Sequence, residues 1–330
     1  MADASVQIRA AVLEDLEQIH EIAVAGWIPI FDLYRLIVGE RMWGDVWGGW
    51  EANWFPPRAE RFNERIIVAE LDGDIAGFAT WWLPGDGLGE VGGNAVDPAL
   101  QGRGIGSMQT RWVVDKLREE GCTCAKVHTG MDPAHGPARA EYRKAGLRRA
   151  VLNSVYLNYL DEVACVPVPP GLDFRWASTD DRDWLSRTIR AAWMPICEDV
   201  CSAVGDDIFD VAFADFLEKK VSDCVGAIEE SPERVRIVSE GGESVGFALL
   251  RQEPPKKLGE IAVLGVDPRF QGRGIGAALC MDAFDVFRHR ELQYVRLRAG
   301  LGEVHWKTRQ LCWNVGLYRQ LPSVDYYAML

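Results

Sequence analysis

Long apolar runs are absent: nothing in these 330 residues approaches the roughly 18 apolar positions that a membrane helix needs. The first ten residues carry Asp3 and lack an apolar segment of signal-peptide length, so no secretory signal is expected. Basic charge is scarce, with 36 Lys and Arg against 49 Asp and Glu and a formal net charge of −13. The deficit is shared, since residues 1–162 hold 16 basic and 24 acidic side chains and residues 163–330 hold 20 and 25. Neither half carries a basic stripe, which argues against a nucleic-acid surface. The acidic surplus suits a cationic amine substrate or plain solubility. Paired metal-ligand spacing is lacking too. Of eight cysteines, only Cys122/Cys124 and Cys197/Cys201 lie close, and neither has the second pair that a zinc site requires. No metal is expected, and reduced thiols fit a cytoplasmic protein. Low-complexity tracts are missing, and the chain is long enough for two ordinary domains.

What is present is a repeat. Residues 90–106 and 260–276 are identical at 10 of 17 positions at a constant offset of 170. Gly77-Phe78-Ala79 answers Gly246-Phe247-Ala248. Arg9, Asp15 and Trp27-x-Pro29-Ile30 answer Arg175, Asp181 and Trp193-x-Pro195-Ile196. Gly146-Leu147 answers Gly316-Leu317, and Tyr156 answers Tyr326. The chain therefore divides into copy one (1–162), a proline-bearing linker (163–171) and copy two (172–330).

Each copy repeats one order of elements. In copy one, residues 6–10 alternate like a strand, and residues 13–25 carry apolar side chains at helical spacing. Residues 66–71 and 75–82 form a hairpin around Asp72-Gly73. Strands follow at 91–96, 125–128 and 150–160, with helices at 105–119 and 138–145. The stretch 28–65 is rich in aromatics and shows no single period. Mixed strands and helices in this order predict an α/β sheet domain, present twice.

Both copies place Gln-Gly-Arg-Gly-Ile-Gly between a strand ending in Val-Asp-Pro and an amphipathic helix. Three glycines in five residues permit a tight turn whose N–H groups converge, and the helix start adds unpaired N–H groups and a positive dipole end. That combination suits a diphosphate. The spacing is not the Gly-x-Gly-x-x-Gly of dinucleotide folds, and the Gly-Lys-Ser/Thr of phosphate-loop NTPases is missing. A tight helix entry without a ligand is the alternative.

These residues resemble the GNAT superfamily of acyl-CoA-dependent N-acyltransferases, whose Gln/Arg-x-x-Gly-x-Gly/Ala signature follows the fourth strand. The resemblance implies two tandem GNAT-like domains, each a mixed, mostly antiparallel twisted sheet flanked by helices, using acetyl-CoA. It assigns Gln101, Gly102, Arg103, Gly104, Ile105, Gly106 and Ser107 to the coenzyme A pyrophosphate in copy one. In copy two it assigns Gln271, Gly272, Arg273, Gly274, Ile275, Gly276 and Ala277. Val96 and Val266 end the strands that would pair with the pantetheine arm. A second family element, Asn-x-x-Ala-x-x-x-Tyr-x-x-x-Gly-Phe, reads His135-x-x-Ala138-x-x-x-Tyr142-x-x-x-Gly146-Leu147 in copy one. In copy two it reads His305-x-x-Thr308-x-x-x-Cys312-x-x-x-Gly316-Leu317, so the tyrosine is lost.

The implied reaction is transfer of an acetyl group to an amine of a small molecule or peptide. Some histone acetyltransferases of the superfamily place their base 11 residues before the motif glutamine, where this chain has Glu90 and Glu260. Either these are bases or they are strand-end carboxylates in solvent. Tyr142 is a candidate hydrogen-bond donor to the departing thiolate, or a packed helical tyrosine. His135 and His305 match each other and serve either the cofactor or a helix start. Trp27, Trp43, Trp47, Trp50 and Trp54 line an acceptor pocket or pack between the copies. The copies are expected to pair as a pseudo-dimer within one chain, with Trp306 and Trp313 adding to the contact. An acyl-CoA-binding module without turnover, in one or both copies, is the competing function.

Overall fold

The computed structural model describes residues 6–53 and 65–330; Trp54 lies outside them. Copy one runs β1 (Gln7–Ala10), α1 (Leu16–Val38), α2 (Glu40–Trp47), α3 (Trp50–Asn53), β2 (Ile66–Leu71), β3 (Asp74–Gly85) and β4 (Leu88–Val96). It continues with α4 (Ile105–Glu119), β5 (Cys124–Gly130), α5 (Gly136–Lys144) and β6 (Arg149–Tyr159). Copy two runs β7 (Leu172–Trp176), α6 (Arg182–Val204), α7 (Asp206–Ala212), α8 (Phe216–Glu230), β8 (Val235–Glu240), β9 (Glu243–Glu253) and β10 (Leu258–Val266). It ends with α9 (Ile275–His289), β11 (Tyr294–Gly300), α10 (Trp306–Asn314) and β12 (Arg319–Met329). Among the described residues no helix is long and apolar enough to cross a membrane.

The repeated Arg and Asp before the first helix are one device used twice. Arg9 grips Asp15 with two hydrogen bonds of 2.7 and 3.0 Å, and Arg175 grips Asp181 at 2.7 and 2.6 Å. Each carboxylate also accepts a backbone N–H at 2.8 Å, from Val12 or Ser178. Burial pushes both carboxyls up, but the arginine and backbone hydrogen bonds outweigh it and hold them below the usual carboxylate range. A carboxyl depressed in this way stabilises the fold above its unfolded value of about 3.9, and the contribution disappears as pH falls through the lower folded value. Asp181→Asn should cost roughly 1 kcal/mol at neutral pH and flatten the acid side of a plot of urea midpoint against pH. An unchanged plot would show the pair to be energetically neutral.

α1 runs through Pro29 to Val38, well beyond the segment that periodicity indicated. The aromatic stretch hides its period because its side chains serve two contacts. Phe31 packs against Trp50 at 4.3 Å and Trp43 at 5.7 Å. Val38 and Met42 face Leu258, Tyr294 and Leu321 of copy two. α6 repeats the geometry with Pro195, and its Val200 and Val204 cover Cys124 of copy one and Tyr327 of β12.

The strands form one sheet in the order β1-β2-β3-β4-β5-β12-β6-β11-β10-β9-β8-β7. Among the described residues only β4–β5 and β10–β11 are parallel pairs. The order is unchanged when the copies are exchanged, which makes a pseudo-twofold arrangement centred between β12 and β6. Each copy's last strand lies in the other's half: β12 pairs with β5, and β6 pairs with β11. Tyr156 and Leu160 of copy one are thus buried with Ile275, Leu279 and Phe284 of copy two. Val324 and Tyr326 are buried with Val113, Val114 and Leu117 of copy one. Residue 162 separates the copies in sequence, while the sheet continues across that point. Trp43 and Trp47 join the contact between the copies. Trp306 and Trp313 do not follow the expectation for them and are each 50% exposed.

Candidate active site

β4 and β5 pair only from Leu88/Cys124 to Val91/Val127; both continue, but no longer as partners. The parting has a local cause. Thr80 of β3 stands opposite two residues of β4, Gly92 and Gly93, between the pairs Ala79/Asn94 and Trp81/Val91. Such a bulge bends its strand. Thr80 Oγ1 donates to the Gly93 carbonyl at 3.1 Å, and a Cβ on Gly92 would overlap that hydroxyl and lie 2.6 Å from Trp82 Nε1. The result is a fork whose two inner edges carry backbone groups freed from each other.

The glycine turn follows the end of β4. Gly102 and Gly104 have φ of +79° and +82°, in the left-handed region, and nothing lies within 4 Å of a Cβ on either. Gln101 Nε2 closes the turn onto the Val96 carbonyl at 3.2 Å, as Gln271 does onto Val266 at 3.3 Å. Ile105 is buried and anchors α4, while Gly104 caps it without any side-chain hydrogen bond. The first-turn N–H groups, including that of Ser107, have no partner within the helix, as at any helix start, and suit an anion. Arg103 makes no ion pair among the described residues and can add its charge. The residues present fit a diphosphate.

The acetyltransferase (GNAT) family model matches residues 27–147 and 202–304, more than half of the chain. The chain belongs to the GNAT acetyltransferase family. A mycothiol acetyltransferase of Nocardia farcinica is 30% identical over 254 residues, covering 71% of this chain and 73% of the relative. One from Acidothermus cellulolyticus is 28% identical over 64% of this chain and 68% of its own length. Among solved structures, a GCN5-related N-acetyltransferase from Sphaerobacter thermophilus has a TM-score of 0.61 at 18% identity, covering 98% and 95% of the two chains. A tandem GNAT protein from the clavulanic acid biosynthesis pathway has a TM-score of 0.50 at 14% identity, covering 98% of each. These structures share the fold.

The two GNAT copies differ sharply at the fork. In copy one Tyr142 of α5 is buried and donates to Asn94 Oδ1 at 2.7 Å, just beyond the β4 bulge. Burial pushes its hydroxyl far above the ordinary tyrosine value, so it stays protonated. Asn94 Nδ2 reaches Glu141 at 3.4 Å, and Thr110 of α4 also donates to that carboxylate. Burial raises the Glu141 carboxyl, with the Thr110 hydrogen bond a partial offset. At the equivalent positions copy two has Cys312, Leu264, Leu311 and Cys280. Cys312 is fully buried and its thiol is pushed up to about 12 by burial. The polar chain Tyr142–Asn94–Glu141–Thr110 has become an apolar plug. A comparison of the copies position by position exposes it; a search for the family tyrosine alone does not.

The turns differ as well. In copy two Pro169 of the linker fills the space beside Gly274, its Cγ 3.2 Å from where a Cβ would stand. Arg273 is engaged by Glu240 at 2.7 Å. Gly272 and Ile275 repeat their copy-one counterparts, and Gly276 packs near Leu311. Val266 and Ala277 stand at the matching strand end and helix start.

The glutamates also diverge. Glu260 is buried, with Arg296 at 3.0 Å and Arg298 at 3.3 Å. Burial pushes its carboxyl up, but the two guanidinium groups outweigh that and hold it below the usual range. Glu90 is half-buried, and its nearest cation is Lys126 at 4.0 Å. His135 begins α5, its Nδ1 2.5 Å from Asp132, and it packs over Gly130, where a Cβ would collide with it. His305 packs over Gly300 in the same way, and burial lowers its pKa. Trp27 stacks on Phe78 at 6.1 Å and flanks Gly93 at the fork.

Proposed function

We propose that copy one transfers an acetyl group from acetyl-CoA to an amine and that copy two serves as its structural support. The observation that carries this is the Tyr142–Asn94 pair at the fork, beside an open glycine turn, with an apolar plug at the same place in copy two. Acetyl-CoA supplies a thioester carbonyl to attack and a diphosphate to grip. Gln101 to Ser107 hold the diphosphate through backbone N–H groups, and Arg103 adds charge. The freed edges of β4, to Val96, and of β5 are fit to pair with amides of a pantetheine arm, as a strand pairs with a sheet edge. Tyr142, kept protonated by burial, donates a hydrogen bond to the departing sulfur. Trp27 covers the acceptor side, and Glu90 is a candidate base there. The relatives' names make a mycothiol-related amine the first acceptor to try.

Calorimetry and thiol release test this. One coenzyme A should bind per chain. Gly104→Glu should weaken it by roughly 10²-fold or more, because a carboxylate would face the diphosphate, and Gly274→Glu should leave it unchanged. Unaltered affinity in Gly104→Glu, or two equivalent sites, would remove the assignment. The competing reading, a binding module without turnover, predicts tight coenzyme A binding and no thiol release with any amine.

A further inference from the structure

The fork carries one more reactive side chain. His128 follows Val127, the last β5 residue paired with β4, so it is the first residue past the parting point. Alternation turns it away from the core that holds Val127 and Tyr142, onto the opposite face of the sheet. Its Nδ1 lies 2.9 Å from Asp325 Oδ1, and its side chain is 56% exposed while that of Asp325 is 14% exposed. Asp325 also accepts from Asn153 Nδ2 at 3.2 Å and has Lys126 Nζ at 3.5 Å. Burial pushes the Asp325 carboxyl up, but the His128 hydrogen bond and the Lys126 charge outweigh it and keep it ionised. Asp325 belongs to β12, the strand supplied by copy two. The matching pair on the other side of the pseudo-twofold is Arg298 and Val155.

We propose that His128, oriented by Asp325 from the other copy, takes the proton of the attacking amine in copy one. This rests on the acetyl-transfer reading above. An ionised Asp325 accepts from Nδ1–H, which leaves the Nε2 lone pair on an exposed ring. The amine nitrogen bonds to the thioester carbon, one N–H proton passes to Nε2, and the C–S bond breaks. The sulfur leaves as a thiolate under the Tyr142 hydrogen bond, and the imidazolium returns its proton to water. His128 and Tyr142 stand on opposite faces of the sheet, so amine and sulfur are served from two sides. Glu90 is less suited, because it sits before the parting point, opposite Lys126 in the parallel pair. The charged or titratable groups facing the imidazole are Lys126 on its own strand, Glu90 on β4, and Asp325 and Tyr327 on β12. Val200 and Val204 of α6 and Ile208 of α7 bring apolar side chains to Cys124 and Tyr327 of the same two strands.

The test uses the full chain, acetyl-CoA and five acceptors: cysteine, glucosamine, kanamycin, spermidine and a mycothiol-related amine. Thiol release is followed at neutral pH. His128→Gln should lower kcat/KM by about 10²- to 10³-fold, with coenzyme A affinity unchanged by calorimetry. Asp325→Asn removes the carboxylate that accepts from Nδ1–H and orients the ring, so it should lower kcat/KM as well. Independently of turnover, the imidazole nitrogen resonances lost in His128→Gln should report the Nδ1–H tautomer in the wild type. An Nε2–H tautomer, or a His128→Gln enzyme as active as the wild type, overturns the role of His128 alone. A wild type that binds coenzyme A but releases no thiol with any of the five amines overturns the acetyl-transfer reading, and this proposal with it.

Discussion

Tyr142→Phe is expected to lower kcat by about 10²- to 10⁴-fold, the usual range for losing a proton-transfer or hydrogen-bond partner at the reacting atoms. Cys312→Ala is expected to leave kcat near the wild-type value. The contrast follows from what each side chain faces. The Tyr142 hydroxyl meets Asn94 at the fork, and Asn94 is braced by Glu141, which Thr110 holds in turn. Cys312 meets the apolar core of copy two and Tyr156 from the exchanged strand. Removing one buried oxygen from Tyr142 leaves the ring packing in place, so coenzyme A affinity and thermal stability should change little. Activity lost with Cys312→Ala and kept with Tyr142→Phe would move the chemistry to copy two.

Residues 1–162 expressed alone should not behave as a soluble, active monomer. The fragment lacks β12, which pairs with β5 from Ser323/Gly130 to Met329/Cys124 and buries Val324 and Tyr326 against α4. Its own β6 would carry Tyr156 and Leu160 without the α9 side chains that enclose them. A sheet edge left open beside an apolar strand recruits further chains. Leu157, Tyr159 and the α1–α2 aromatics would also lose Leu258, Tyr294 and Leu321. Size-exclusion chromatography and thiol release check this. A monomeric fragment as active as the full chain would refute the supporting role of copy two.

Much of copy one is legible in its sequence. The hairpin at Asp72-Gly73 follows from turn chemistry: Asp72 and Gly73 both take positive φ. The glycine turn follows from its spacing, because few backbones other than a tight loop at a helix start need three glycines in five residues. The second half of α1 was not legible. Its aromatics face two partners, one of them on the other copy, and so show no single period.

The sequence by itself determined the family, the two copies, the glycine turn and the loss of the tyrosine in copy two. Each is written in local spacing or in a comparison of the chain with itself. Only the tertiary structure brought Pro169 beside Gly274 and Glu240 to Arg273. Only it brought Asn94 to Tyr142, and Asp325 to His128 from 197 residues away. The exchange of β6 and β12 is equally invisible in the sequence. Both strands alternate in the same way and bear matching tyrosines, so each would suit either half of the sheet. The choice between them is made by pairing across the whole molecule, a long-range term that local pattern does not carry.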